Sequence, residues 1–123
     1  MDLTLPAEDL DWQRRARSFA ETVLFPLEEQ LELEGSLPRA TKDKLRAAVV
    51  EHGLNAINHA RDVGGQGCTQ LQQILINEEV GKATGALWAV IWHPAVALKH
   101  GSQQQIRDFL VPSCHGTRRA CVA

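Results

Sequence analysis

Thr69-Gln70-Leu71-Gln72, continued by Gln73-Ile74-Leu75-Ile76-Asn77-Glu78-Glu79-Val80, is the stretch on which the reading of this chain turns. A threonine with a glutamine three residues later is a capping box. The threonine side chain accepts from the third backbone N–H, and the glutamine reaches back to the threonine N–H. The pattern predicts a helix starting at Gln70 and running to about Lys82, with Leu71, Ile74, Leu75, Val80 and Ala83 as its apolar positions. The same signal recurs at Ser102 with Gln105, opening a helix whose inner stripe is Ile106, Phe109 and Leu110 and which Pro112 ends or kinks.

Working outward, the region before Thr69 is a loop from Asn55 to Gly67, closed by Gly64-Gly65-Gln66-Gly67. Before it, Pro38 to His52 predicts a helix with Leu45, Ala48 and Val49 inward. Gly53 reads as the left-handed residue after its end, and Leu54 as folding back onto the last turn. The first segment, about Pro6 to Glu34, carries Trp12, Ala16, Phe19, Val23 and Leu27 on one face. Pro26 lies inside it and predicts a kink near Leu24-Phe25. Between the two capping boxes, Gly85 to His100 is apolar nearly all round and reads as a central helix bent at Pro94. Ala and Leu total 30 residues against 14 for Val and Ile, which also favours helix over sheet. The fold class predicted is therefore all-α, a bundle of five to six helices over residues 1–116, with a short extended tail over 117–123. Ala120-Cys121-Val122-Ala123 has no polar end and reads like a strand cut off before its sheet, the start of a middle β domain.

Composition narrows the function classes. The 123 residues are 44% hydrophobic and 23% charged with a net charge of −2, as in an ordinary folded domain. That balance lacks the clustered basic excess of a nucleic-acid binder. Charge is uneven: residues 1–62 hold twelve acids and eight bases, residues 63–123 three acids and five bases. The longest apolar run, Ala86–Trp92, is seven residues, against about 20 for a membrane span. Three cysteines, an odd number at spacings of 46 and 7, match no zinc or redox motif and predict free thiols in a reducing compartment, the cytoplasm.

Several residues invite chemistry, each with a plainer alternative. The Gly64–Gly67 loop offers successive amides to an anion, or is a tight connection. Glu78 and Glu79 point to different sides of their helix. One of them, if buried, is a proton acceptor with a raised pKa, or a salt-bridge partner. The five histidines show no helical metal spacing, which leaves capping and surface roles. Cys114-His115 suggests an activated thiol, although adjacent side chains seldom face one another. Trp88 and Trp92, with Leu87 and Ile91, either line a pocket for an apolar ligand or fill the core.

The order of motifs resembles the N-terminal helical domain of the FAD-dependent acyl-CoA dehydrogenase family. The matching pieces are Phe19-Ala20-Glu21 with Phe25-Pro26-Leu27; Gly35-Ser36-Leu37-Pro38-Arg39; and Glu51-His52-Gly53-Leu54. They continue with Gly64-Gly65-Gln66-Gly67; Asn77-Glu78-Glu79-Val80-Gly81-Lys82-Ala83-Thr84; and His100-Gly101-Ser102-Gln103-Gln104-Gln105. The resemblance implies oxidation of the α,β bond of an acyl-CoA thioester, with hydride passing to FAD and electrons then to an electron-transfer flavoprotein. It also implies a homo-oligomer. The family's flavin-contacting segment, a Thr-Glu pair before Gly-Ser-Asp, and its glutamate base have no counterpart in these 123 residues. The isolated chain is therefore expected to be inactive and not to hold FAD. Residues ahead of Gly64 read Ala60-Arg61-Asp62-Val63 where the family often has Pro-Glu. The segment matching Gly85–His100 typically floors the acyl-chain cavity, which makes Leu87, Trp88, Ile91 and Trp92 the candidate substrate-binding residues, with bulky indoles that disfavour long straight chains. The alternative is a helical interaction or oligomerisation module without catalysis.

Overall fold

A computed structural model describes residues 4–119. The described residues are helices and turns, with no strand among them. Expectations for the tail from Ala120 to Ala123 lie outside the described residues.

The first segment is one long irregular helix. α1 (Ala7–Phe19) passes through a π-turn (Ala20–Leu24) and a single 3-10 turn (Phe25–Leu27) into α2 (Glu28–Glu34). Pro26 has no N–H to donate, so the helical register must loosen next to it. The Phe25 N–H, immediately before it, bonds five residues back to Ala20 O. The extra residue in that turn shifts the buried face. Trp12, Ala16 and Phe19 are buried as the period predicts, but Ala20 and Leu24 then take the core positions, leaving Val23 and Leu27 only partly covered. The last segment repeats the device. α5 (Gln103–Gln105), a π-turn (Ile106–Leu110) and α6 (Val111–Cys114) run continuously, and the Val111 N–H before Pro112 bonds to Ile106 O. Leu110 is buried there, whereas Phe109 is exposed under the Arg118 guanidinium at 4.4 Å, so it is not part of the inner stripe.

α3 (Arg39–Glu51) buries Leu45 and Val49. Its end is as predicted: Gly53 has φ 62° and the Leu54 N–H turns back to Val49 O at 2.9 Å, with Leu54 fully buried. α4 (Gln70–Val80) opens on the complete capping box. It packs against α1 in the same direction, because Gln72 meets Asp9 near both starts and Glu79 meets Arg17 near both ends. The buried face of α4 differs from the apolar reading. Leu71 and Ile74 are exposed, while Gln72, Leu75, Ile76, Glu79 and Val80 face inward. Two polar residues sit on the inner face because each finds a partner on α1.

The largest correction concerns residues 85–100, which are not a helix. Gly85 and Ala86 both have φ near +60°, which blocks a right-handed start. A 3-10 turn (Leu87–Val90) leads to an extended Ile91 (ψ 107°), then Pro94, then a second 3-10 turn (Val96–His100). His93, preceding a proline, is biased away from helical angles. Asn58 Nδ2 and His59 Nε2 both donate to Pro94 O at 2.9 Å and pin the broken segment to the glycine-closed loop. The main core lies between these turns, α1, α3 and α4, with Phe19, Leu24, Val49, Leu54, Ile57, Ile76 and Val80 buried completely or nearly so.

Candidate functional site

A cleft of about 390 Å³ opens where α2, the start of α3 and the 87–90 turn meet. Its apolar wall is Leu31, Leu37, Leu45, Leu87, Val90 and Trp92. The breaks at 85–86 and 91–95 place these last three: a straight helix would have carried Leu87 and Trp92 away from one another's side. Of the four residues singled out from the sequence, Leu87 and Trp92 line this cleft. Ile91 is buried in the main core beneath it, and Trp88 turns outward, 55% exposed, and is not among the lining residues. Trp92 is held firmly. Its Nε1–H donates to Ser113 O at 2.9 Å, and the Arg46 guanidinium lies 4.9 Å from the ring centre. The rim residues Lys42, Arg46 and Arg119 were missed in the sequence. The spacing of Lys42 and Arg46, four apart on α3 beside the buried Leu45, was the available signal.

The other candidates resolve toward their plainer readings. Glu79 is 2% exposed and is gripped by Arg17 Nη2 at 2.8 Å and Nε at 3.3 Å, with Lys82 Nζ at 2.6 Å on Oε2. Hydrogen bonds from Arg17, and then Lys82, hold its carboxyl below the ordinary carboxylate range, outweighing burial. It is a structural anion and no proton acceptor at neutral pH. Since the folded pKa is depressed, this pair contributes stability above the ordinary Glu value of about 4.3 and loses it as pH falls through the lower folded value. Urea midpoints at pH 7, 4 and 3 are expected to fall with acid, and Glu79→Gln is expected to flatten part of that fall. An unchanged acid slope in Glu79→Gln would contradict the assignment.

The glycine loop has no amides to spare. The N–H groups of Gly64, Gly65, Gln66, Gly67 and Cys68 bond to carbonyls of Arg61, Ala60, Ala56, His59 and Ile57. It is a tight connection, with no amide of residues 64–68 left to face a phosphate. Cys114 is fully buried, and burial raises its thiol pKa; Cys68 is pushed up to about 11. Neither is an activated nucleophile. His52 Nδ1–H caps Ala48 O at 2.8 Å, with its ring edge-on to Phe19. Among the described residues no three His, Cys, Asp or Glu side chains gather as a metal site, and no helix is long and apolar enough to cross a membrane.

The family model for the acyl-CoA dehydrogenase N-terminal domain matches residues 6–117. The chain belongs to the acyl-CoA dehydrogenase family. Within that family it is the N-terminal helical domain, similar to the short-chain specific acyl-CoA dehydrogenase of Bos taurus (28% identical, 97% of this chain and 29% of the relative) and that of Mus musculus (30%, 97% and 29%). It is also similar to the acryloyl-CoA reductase (NADH) of Anaerotignum propionicum (28%, 89% and 28%). Among solved structures, it matches a chain from work described as "Electron transferring flavoprotein of Acidaminococcus fermentans: Towards a mechanism of flavin-based electron bifurcation". The TM-score is 0.76 at 26% identity, over 95% of this chain and 31% of that one. The acyl-CoA dehydrogenase domain thus spans less than a third of the length of the relatives it matches.

Proposed function

We propose that residues 1–116 are the helical N-terminal domain of an FAD-dependent acyl-CoA dehydrogenase acting on short acyl chains, and that 117–123 lead toward a middle β domain. The match of the domain family over residues 6–117 carries this reading, and the names of its short-chain relatives support the chain length. In that enzyme an acyl-CoA thioester loses hydrogens across its α,β bond and FAD receives the hydride. Electrons then pass to an electron-transfer flavoprotein, and the subunits form a homo-oligomer in the cytoplasm. The part this domain plays is to wall the acyl chain with Leu87 and Trp92, over Ile91 as a rigid base, with Trp88 facing a neighbouring domain or subunit. The indole of Trp92, fixed by Ser113 and Arg46, does not yield to a longer chain. The loop amides are consumed and Glu79 is held as an ion pair, so neither a flavin cradle nor a base is offered by these groups. The chain alone is inactive under this proposal and purifies without flavin.

The test is a chimera in which residues 6–117 replace the matching domain of the Bos taurus relative. The flavin-loaded chimera is expected to oxidise butyryl-CoA, and the 123-residue chain alone is not. Trp92→Ala in the chimera is expected to raise kcat/KM for octanoyl-CoA relative to butyryl-CoA by about tenfold. A flavin-loaded chimera without turnover would overturn the proposal, as would turnover by the 123-residue chain.

A further inference from the structure

The apolar cleft does not end in apolar surface. Lys42, Arg46 and Arg119 line it together with the leucines, and among the described residues no aspartate or glutamate does. Arg46, Trp92 and Arg119 also line a second cleft of about 210 Å³, completed by His93, Pro94, Ser113 and Arg118, again with no carboxylate among the described residues. The two clefts therefore share a wall made of one indole and two guanidinium groups.

These arginines are arranged without an anionic partner among the described residues. Arg46 is held by the Trp92 face and by one hydrogen bond, Nη2 to Gly116 O at 3.2 Å. A guanidinium has five N–H donors, so most of its capacity is unspent. Arg118 is likewise held by a carbonyl, Asp108 O at 2.9 Å, and by the Phe109 ring. Asp43, three residues before Arg46 on α3, adds an opposing charge there but forms its ion contact with Arg39, at 4.0 Å. Burial, and then the neighbouring Arg119 charge, lower the Arg46 pKa against an opposing effect of Asp43.

We propose that the joined clefts bind an anionic amphiphile: a short aliphatic chain lies along Leu37, Leu45 and Leu87, and its terminal carboxylate sits on Arg46 and Arg119. Apolar burial orders the chain, and a bidentate guanidinium contact orders the carboxylate. The inference uses the cleft that the dehydrogenase reading gives to the acyl chain, but binding of an anionic end on Arg46 and Arg119 is read without any turnover and so fails separately from that reading. Lys42 and Arg118 add field without direct contact.

The test uses the whole 123-residue chain, with hexanoate, hexylamine and inorganic phosphate as probes and Trp fluorescence and calorimetry as readouts. Hexanoate is expected to bind, phosphate to compete weakly, and hexylamine, with the same chain and opposite charge, not to bind. Arg119→Gln, at an exposed position, is expected to weaken hexanoate about five- to tenfold with an unchanged circular dichroism spectrum. Arg46→Gln is expected to weaken it at least as much, and Arg14→Gln on α1 not at all. Equal binding of hexylamine, or no loss in Arg119→Gln, would reduce the cleft to an unspecific apolar surface and overturn the proposal. So would self-association of the chain that occupies the cleft and that hexanoate does not disturb.

Discussion

Gly65→Ala is expected to lose at least about 3 kcal/mol of stability, the upper range for a methyl forced into filled space, and roughly 10–15 °C of melting temperature. A Cβ at residue 65 would stand 2.1 Å from His59 O and 2.8 Å from Ala56 O. Both atoms are backbone, and both are committed: His59 O accepts from the Gly67 N–H at 2.8 Å, and Ala56 O from the His59 and Gln66 N–H groups. No side chain can swing aside to make room. The loop would have to open, and with it the His59 and Asn58 bonds to Pro94 that shape the cleft wall. Gly35→Ala provides the contrast. Its Cβ meets nothing within 4 Å, so only its left-handed backbone (φ 70°) opposes the change, at a cost of about 1–2 kcal/mol. Thermal and urea unfolding of the two variants checks the ordering, and equal losses would show that the 65-loop is pliable.

Asn55→Ala is expected to cost about 2–4 kcal/mol, because one buried amide serves three places. Its Nδ2 donates to Gly64 O at 3.2 Å and to Cys114 O at 3.1 Å, and its Oδ1 accepts from Gln66 Nε2 at 3.0 Å. The residue thereby ties the glycine loop to the end of α6, next to the small cluster of Ala56, Leu110 and Cys114. Truncation leaves two carbonyls short of a donor in a site where Asn55 is only 5% exposed. Asn55→Asp is expected to be no milder, since a carboxylate faces both carbonyls with no hydrogen to give. A urea midpoint within error of the parent for Asn55→Ala would mean that the backbone bonds of the loop suffice alone.

The legible parts of the fold share one property: their partners are close in sequence. Thr69 with Gln72 and Ser102 with Gln105 close their boxes within three residues. Gly53 and Leu54 turn back on Val49 and Val50. Pro26 and Pro112 each force a five-residue bond on the residue before them. Family motifs in order were legible for the same reason, being strings rather than contacts. The lining of the candidate cleft was half legible. Leu87 and Trp92 stood out as large residues in an apolar run, but so did Trp88, which the backbone turns to solvent. Lys42, Arg46 and Arg119 are charged residues in three unremarked positions, and only folding puts them around one cleft.

What the sequence determined by itself is the two capped helix starts, the stop at Gly53, the kinks and the family, because each follows from bonds or patterns spanning a few residues. Tertiary structure alone decided that Gly85–His100 is not a helix, that Gln72 and Glu79 face inward while Leu71 and Ile74 do not, and that an apolar cleft ends on arginines. The physical reason is distance along the chain. Asp9 meets Gln72, Arg17 meets Glu79, His59 meets Pro94 and Arg46 meets Gly116 across 63, 62, 35 and 70 residues. Such contacts override local preference whenever a buried polar group would otherwise go without its partner.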